Sequence, residues 1–155
     1  MSVRLPSLRL VASTAAIALA ASLALAFSRP VSMQVDGRRI MTDVAPVTVG
    51  SEVYLPVRAL SAAVGGRTSY DARTGEVTVR RGADTLRLRV GEKRALLNGV
   101  PYELGGAPFT VHGRALVRGR DLALAFGSDL SYDAGRGRID LRTPGGVVAG
   151  APDSN

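Results

Sequence analysis

The chain has 155 residues, no Cys, 20 Lys and Arg against 13 Asp and Glu, and a formal charge of +7 at pH 7. The absence of Cys excludes a disulfide framework, a thiolate metal site, a Cys nucleophile and a lipid-modified Cys, so an ordinary hydrophobic core has to supply the stability. Basic residues are nearly all Arg, with Lys93 the lone Lys, and the bland account of that excess is a solvated basic surface.

Residues 1–26 read as a signal peptide. Arg4 and Arg9 form a basic start, residues 10–26 are an uncharged Ala/Leu-rich run, and Ala24-Leu25-Ala26 offers a small-residue cleavage site. Cleavage takes the formal charge from +7 to +5, because Arg4 and Arg9 leave with the segment. An uncleaved segment tethering the protein to a membrane is the open alternative. In both cases the rest of the chain is expected outside the cytoplasm, secreted or held in the cell envelope.

A short linker, 27–32, leads to one compact domain expected over 33–142. Within it, residues 35–80 recur as 97–142 at a constant offset of 62 positions and without a gap. Identities include Gly37/Gly99, Pro46/Pro108, Arg58/Arg120, Leu60/Leu122, Gly65/Gly127, Tyr70/Tyr132, Asp71/Asp133 and Gly75/Gly137. These are mostly turn, cap and core types, the pattern of an internal duplication that preserves a shape.

Each repeat opens on a tight-hairpin signal, Asp36-Gly37 or Asn98-Gly99. Short strands follow at 45–49 and 53–55, and again at 107–111 and 115–117. Pro56 suits a first helical turn, and Val57, Leu60 and Val64 fall at helical spacing before Gly65-Gly66 ends the helix. The second repeat places Leu122, Ala125 and Phe126 likewise, with Asp121 in the first turn where the helix dipole favours an acid. The period then switches to two, giving hairpins around 71–75 and 133–137, with Tyr70 and Tyr132 expected to pack inward and Asp71 and Asp133 to start the loops. Between the repeats, Leu86, Leu88 and Val90 alternate with Arg87 and Arg89, one more strand. The expected class is α+β: a twisted, mainly antiparallel sheet with two short helices. The segment 143–155 lacks periodicity and reads as a flexible tail.

Several of these pieces together resemble the copper amine oxidase N-terminal (stalk) domain family of secreted bacterial proteins. They are Val35-Asp36-Gly37, the Leu55-Pro56-Val57-Arg58-Ala59-Leu60 run, Val64-Gly65, Ser69-Tyr70-Asp71 with Val77-Thr78-Val79, then Leu97-Asn98-Gly99 and Val117-Arg118-Gly119-Arg120. The resemblance covers about the whole of 33–142. The second repeat departs from it at Arg118-Gly119, where the family tends to have Pro and an apolar residue. The resemblance implies an antiparallel sheet curved around helix, used as a non-catalytic stalk or attachment module.

Catalytic, cofactor and metal residues are not expected. Ser69-Tyr70-Asp71 and Ser131-Tyr132-Asp133 echo the setting from which amine oxidases make their quinone, but that chemistry asks for three copper-binding His, and the chain has His112 alone. No Ser motif carries a neighbouring base. Arg58 and Arg120 recur in the first helical turn, where a cation opposes the dipole, so each guanidinium is expected to be held by a carboxylate or by backbone carbonyls. Arg80, Arg87 and Arg89 form a candidate basic binding face if their strands pair. Nucleic acid is not the expected target, because it is rare outside the cell and no aromatics are interleaved with these Arg residues. The expected function is a secreted, non-catalytic attachment module that contacts a cell-envelope polymer or a partner protein. The alternative is a self-associating structural module of the envelope, a homo-oligomer.

Overall fold

The computed structural model of the protein describes residues 31–145. The expected signal peptide, most of the linker and the tail from residue 146 lie outside the described residues. The first half contains β1 (Ser32–Val35), β2 (Arg38–Ile40), β3 (Val47–Val49), β4 (Glu52–Pro56), α1 (Val57–Ala63), β5 (Arg67–Asp71) and β6 (Glu76–Arg81). After β7 (Asp84–Arg89) come β8 (Arg94–Leu97), β9 (Val100–Glu103), β10 (Phe109–Val111), β11 (Arg114–Arg118), α2 (Gly119–Ala125), β12 (Asp129–Asp133) and β13 (Arg138–Arg142). The element order of the first half thus returns in the second, and among the described elements β7 alone has no counterpart.

This is an α+β fold of mostly antiparallel strands with two short helices. It differs from a single twisted sheet in having three, ordered β12-β13-β1-β2, β10-β11-β4-β3 and β5-β6-β7-β8-β9. The division follows from the helices, which begin directly after β4 and β11 and divert the chain out of the sheet it has just built. Among the described residues one pairing is parallel, Met33 beside Ile139 and Val35 beside Leu141, where β1 meets β13. The halves are therefore interlaced. β1 and β2 complete a sheet with β12 and β13, and β5 and β6 complete another with β8 and β9 through β7.

Both hairpin signals form as their residues require: φ is positive at Asp36 (48°) and Gly37 (78°), and at Asn98 (53°) and Gly99 (81°). Pro56 and Arg118 precede the two helices with φ of −64° and −54°, so an Arg occupies the conformation that Pro fixes in the first half. The Gly that follows it has a packing reason. A Cβ at Gly119 would stand 3.0 Å from Leu130 Cδ2 and 3.1 Å from Leu55 Cδ1.

The main core takes Met33, Val35, Ile139 and Leu141 from one sheet, Val77, Val79, Leu86 and Leu88 from another, Leu60 and Leu122 from the helices, and Phe126 from the residue that follows α2. Between them lie Leu55 and Val117 of the third sheet, both fully buried. The other face of that sheet has its own small cluster of Val44, Tyr54 and Leu116, with the Tyr54 and Phe109 rings tilted against each other at 4.9 Å.

Helices of seven residues are marginal by themselves, so their ends need outside partners. Arg81 supplies one for both. Its Nε donates to the Val64 carbonyl at 3.0 Å and its Nη1 to the Phe126 carbonyl at 3.1 Å, joining the C-terminal ends of α1 and α2, where the dipoles favour a cation. Replacing Arg81 with Met should lower unfolding free energy in urea by about 2 kcal/mol, since bonds to a charged donor are lost at both helix ends. Arg58→Met, by contrast, should stay within about 0.5 kcal/mol of wild type, as expected of an exposed position.

Candidate functional site

Strand alternation and register decide which side chains share the outer face of the five-stranded sheet. Val77 pairs with Leu88 and Val79 with Leu86, and all four point into the core. The residues between them point out. One row runs Ser69, Thr78, Arg87, Leu96, Pro101; a second places Arg67 opposite Arg80; a third places Asp71 opposite Glu76 and Glu76 opposite Arg89. Arg94 and Glu103 face each other at the far side. An open groove of about 700 Å³ lies over this region, lined among others by Arg87, Arg89, Arg94, Leu96, Pro101 and Glu103.

Arg80, Arg87 and Arg89 do fall on one face, but they do not make a continuous basic stripe. Arg87 Nη2 lies 3.3 Å from Glu76 Oε1, and Arg89 Nη1 lies 3.1 Å from Glu92 Oε1. Arg80 stands beside Arg67 at the opposite edge. The face is a patchwork of both signs around an apolar spot, with Leu96 37% exposed. The basic pattern in the sequence singles out Arg80 on β6 with Arg87 and Arg89 on β7 but passes over Glu76, although Glu76 alternates with Thr78 and Arg80 on β6 and was available by the same period. Arg94, Leu96, Pro101 and Glu103 were missed because nothing in the sequence fixes how β8 and β9 line up with β7.

The corresponding face of the β12-β13-β1-β2 sheet serves as an internal comparison. Gln34 and Arg39, paired across β1 and β2, hold the positions that Leu96 and Pro101 hold on β8 and β9. That face also closes an ion pair of its own, Arg138 to Asp140 at 2.9 Å. The apolar centre is specific to the sheet of the second hairpin.

A second concentration of charge lies where β11 enters α2. Arg118 forms a two-pronged pair with Glu52, Nε to Oε2 at 2.9 Å and Nη2 to Oε1 at 3.1 Å, and its Nη1 reaches Asp121 Oδ1 at 3.3 Å. The Asp121 carboxylate, 2% exposed, also accepts the Gly105 backbone N–H at 3.0 Å and the Tyr102 hydroxyl at 3.5 Å. This latch ties the start of β4 in the first half to β11, α2 and the β9–β10 connection of the second. The close approach demands Gly at 105, where a Cβ would collide with Arg118 Nη1, and at 106, where it would collide with the Tyr54 hydroxyl. Burial pushes the Asp121 carboxyl above its ordinary range, while the hydrogen bond from Arg118 holds Glu52 below its own.

The structure also revises the expected helix-turn cations. Arg58 and Arg120 are exposed, and among the described residues neither side chain makes a hydrogen bond or ion pair. The helical spacing that buries Val57, Leu60 and Ser61 turns position 58 to solvent. Beside the helices, it is Arg81 that is held by helix-end carbonyls and Arg118 that is held by carboxylates. Tyr70 does not pack inward either. It is 44% exposed near the turn end of edge strand β5, whereas Tyr132 packs against the core and its hydroxyl lies 3.3 Å from Thr48 Oγ1. Asp71 Oδ1 accepts the Arg73 backbone N–H at 2.9 Å, and Asp133 Oδ1 accepts that of Arg136 at 3.0 Å.

A family model described as Copper amine oxidase N-terminal domain matches residues 34–141. No significant match was found among curated proteins. The residues do not fit a copper site. His112 is exposed in the β10–β11 turn with φ of 48°, and among the described residues no group of three or more His, Asp or Glu could hold a metal.

Arg118→Met leaves the buried Asp121 carboxylate without its cation and should cost about 3 kcal/mol in chemical denaturation at neutral pH. The pH dependence identifies the cause. Glu52, with a depressed folded value, contributes stability above the ordinary carboxylate range that wild type loses as the medium acidifies; Asp121, with a raised one, carries a cost at neutral pH that protonation relieves. The deficit of the variant should therefore shrink as the pH falls toward about 4.

Proposed function

Because the chain belongs to the Copper amine oxidase N-terminal domain family, whose domain is the non-catalytic part of those oxidases, we propose that it acts outside the cytoplasm as an attachment module. The contact surface in this reading is the outer face of β5–β9, and the partner is a protein of the cell envelope.

One observation carries the assignment of the face. At equivalent places in the two halves, an exposed Leu96 and Pro101 replace Gln34 and Arg39, and a groove opens over the apolar pair. An apolar centre with a charged rim is the anatomy of a protein–protein contact. The charge pattern separates a protein partner from a polyanion. Glu76, Glu92 and Glu103 are interspersed with Arg87, Arg89 and Arg94 around the groove, so a teichoic-acid-like or lipid-headgroup surface would meet repulsion along with attraction, whereas a protein surface can match both signs.

The test is co-sedimentation of the protein with its own envelope fraction. Leu96→Asp should abolish binding by placing a charge at the centre, and Arg94→Glu should weaken it about tenfold while leaving the fold intact by circular dichroism. Binding that survives protease treatment of the envelope and falls steeply with salt would transfer the role to a polyanion.

A further inference from the structure

We propose that two copies of this chain join along β5, edge to edge and antiparallel, to make one continuous sheet across a two-fold axis. The inference stands on the edge strand and is independent of the attachment reading.

The sheets end on β5, β9, β12, β2, β10 and β3. An exposed edge offers unpaired backbone N–H and C=O groups to another strand, and proteins blunt such edges by shortness, by Pro or by repelling charge. β3 and β10 are three residues long. β9 carries Pro101, which has no N–H to give, and β2 exposes Arg38 and Arg39. β12 has an acid at each end, Asp129 and Asp133, so a second β12 laid antiparallel against it meets like charge at both ends. β5 has none of these protections.

β5 is in addition complementary to itself. It reads Arg67-Thr68-Ser69-Tyr70-Asp71. An antiparallel partner centred on Ser69 sets Arg67 opposite Asp71 of the second copy at both ends of the pairing. Thr68 then faces Tyr70, whose ring is 44% exposed in the single chain. The register sets outer-face residues opposite outer-face residues and inner opposite inner, so the outer faces of the two copies run on into each other.

The charges inside the chain are arranged as if a neighbour were missing. Across β5 and β6, Arg67 stands opposite Arg80 and Asp71 opposite Glu76, a like-charge pair at each end, and directly opposed like charges are destabilising. Neither Arg67 nor Arg80 makes an ion pair or side-chain hydrogen bond among the described residues. The two-fold pairing sets the second copy's Asp71 against Arg67, and the second copy's Arg67 against Asp71, so the β5 member of each like-charge pair gains an opposite charge on its open side. The equivalent ribbon of the other half needs no such help: Asp129 faces Arg142 and Asp133 faces Arg138 within the chain.

Sedimentation equilibrium on the protein as recovered from its host tests this, with two charge reversals and their mixture. Wild type should form a dimer that salt weakens. Arg67→Asp and Asp71→Arg should each raise the dissociation constant at least about tenfold, because each turns both attractive pairs repulsive. Mixed in equal amounts, the two variants should associate again, since the acid ends of one then face the basic ends of the other. Arg67→Asp changes an exposed side chain without a partner, so circular dichroism should show it folded even if the loss of the Asp71 turn acceptor unfolds the second variant. A wild type that stays monomeric, a dimer indifferent to Arg67→Asp, or two folded variants that fail to associate on mixing would each overturn the proposal. Loss of envelope binding alone would not bear on it.

Discussion

The pairing of β4 with β11 is the constraint on which the rest of the molecule depends. Leu55 faces Val117 across this ladder, with Pro56 opposite Leu116 and Tyr54 opposite Arg118. These are residues at equivalent places in the two halves, set against each other in antiparallel order. Both helices begin at the ends of the same two strands, so fixing this register also fixes where α1 and α2 enter the core. Each half supplies one strand of the ladder and neither can bury its Leu55 or Val117 without the other. The outer sheets repeat the dependence, because each combines strands from both halves.

Departures from equivalence mark where the halves have taken different work. Arg118 stands where the first half has Pro56, Asp121 where it has Ala59 and Gly105 where it has Asp43. Taken one at a time these exchanges look unfavourable: a Pro ideal for a helix start is lost and a carboxylate is buried. Taken together they are the Glu52–Arg118–Asp121 latch, in which each group supplies the charge or the space another requires. Such a connection rigidifies the face carrying β8 and β9, since Tyr102 of β9 bonds to the buried carboxylate. Arg81 adds a second tie by holding both helix ends to β6.

The two outer sheet faces then present different surfaces on similar scaffolds. On β12-β13-β1-β2 the opposite-charge pairs close within the chain. On β5–β9 the outer surface has an apolar centre over one part and unresolved like-charge pairs at its β5 edge. A surface whose interactions are incomplete in the single chain has free energy left to gain from a partner, whereas one already satisfied has little.

The sequence by itself determined the local geometry. The Asp36-Gly37 and Asn98-Gly99 turns, the two helices stopped by Gly65 and Gly127, the alternation of β6, β7 and β13 and the α+β class were all legible, because each depends on residues within a few positions of one another. The tertiary structure alone decided three sheets in place of one, the parallel contact of β1 with β13, and the partners of Arg81 and Arg118, whose acceptors lie up to 66 positions away. It also turned Arg58, Arg120 and Tyr70 outward. Period and turn chemistry set which way a side chain points along its own strand or helix, but which residue stands across from it is a matter of register between distant strands, and no local pattern encodes that distance.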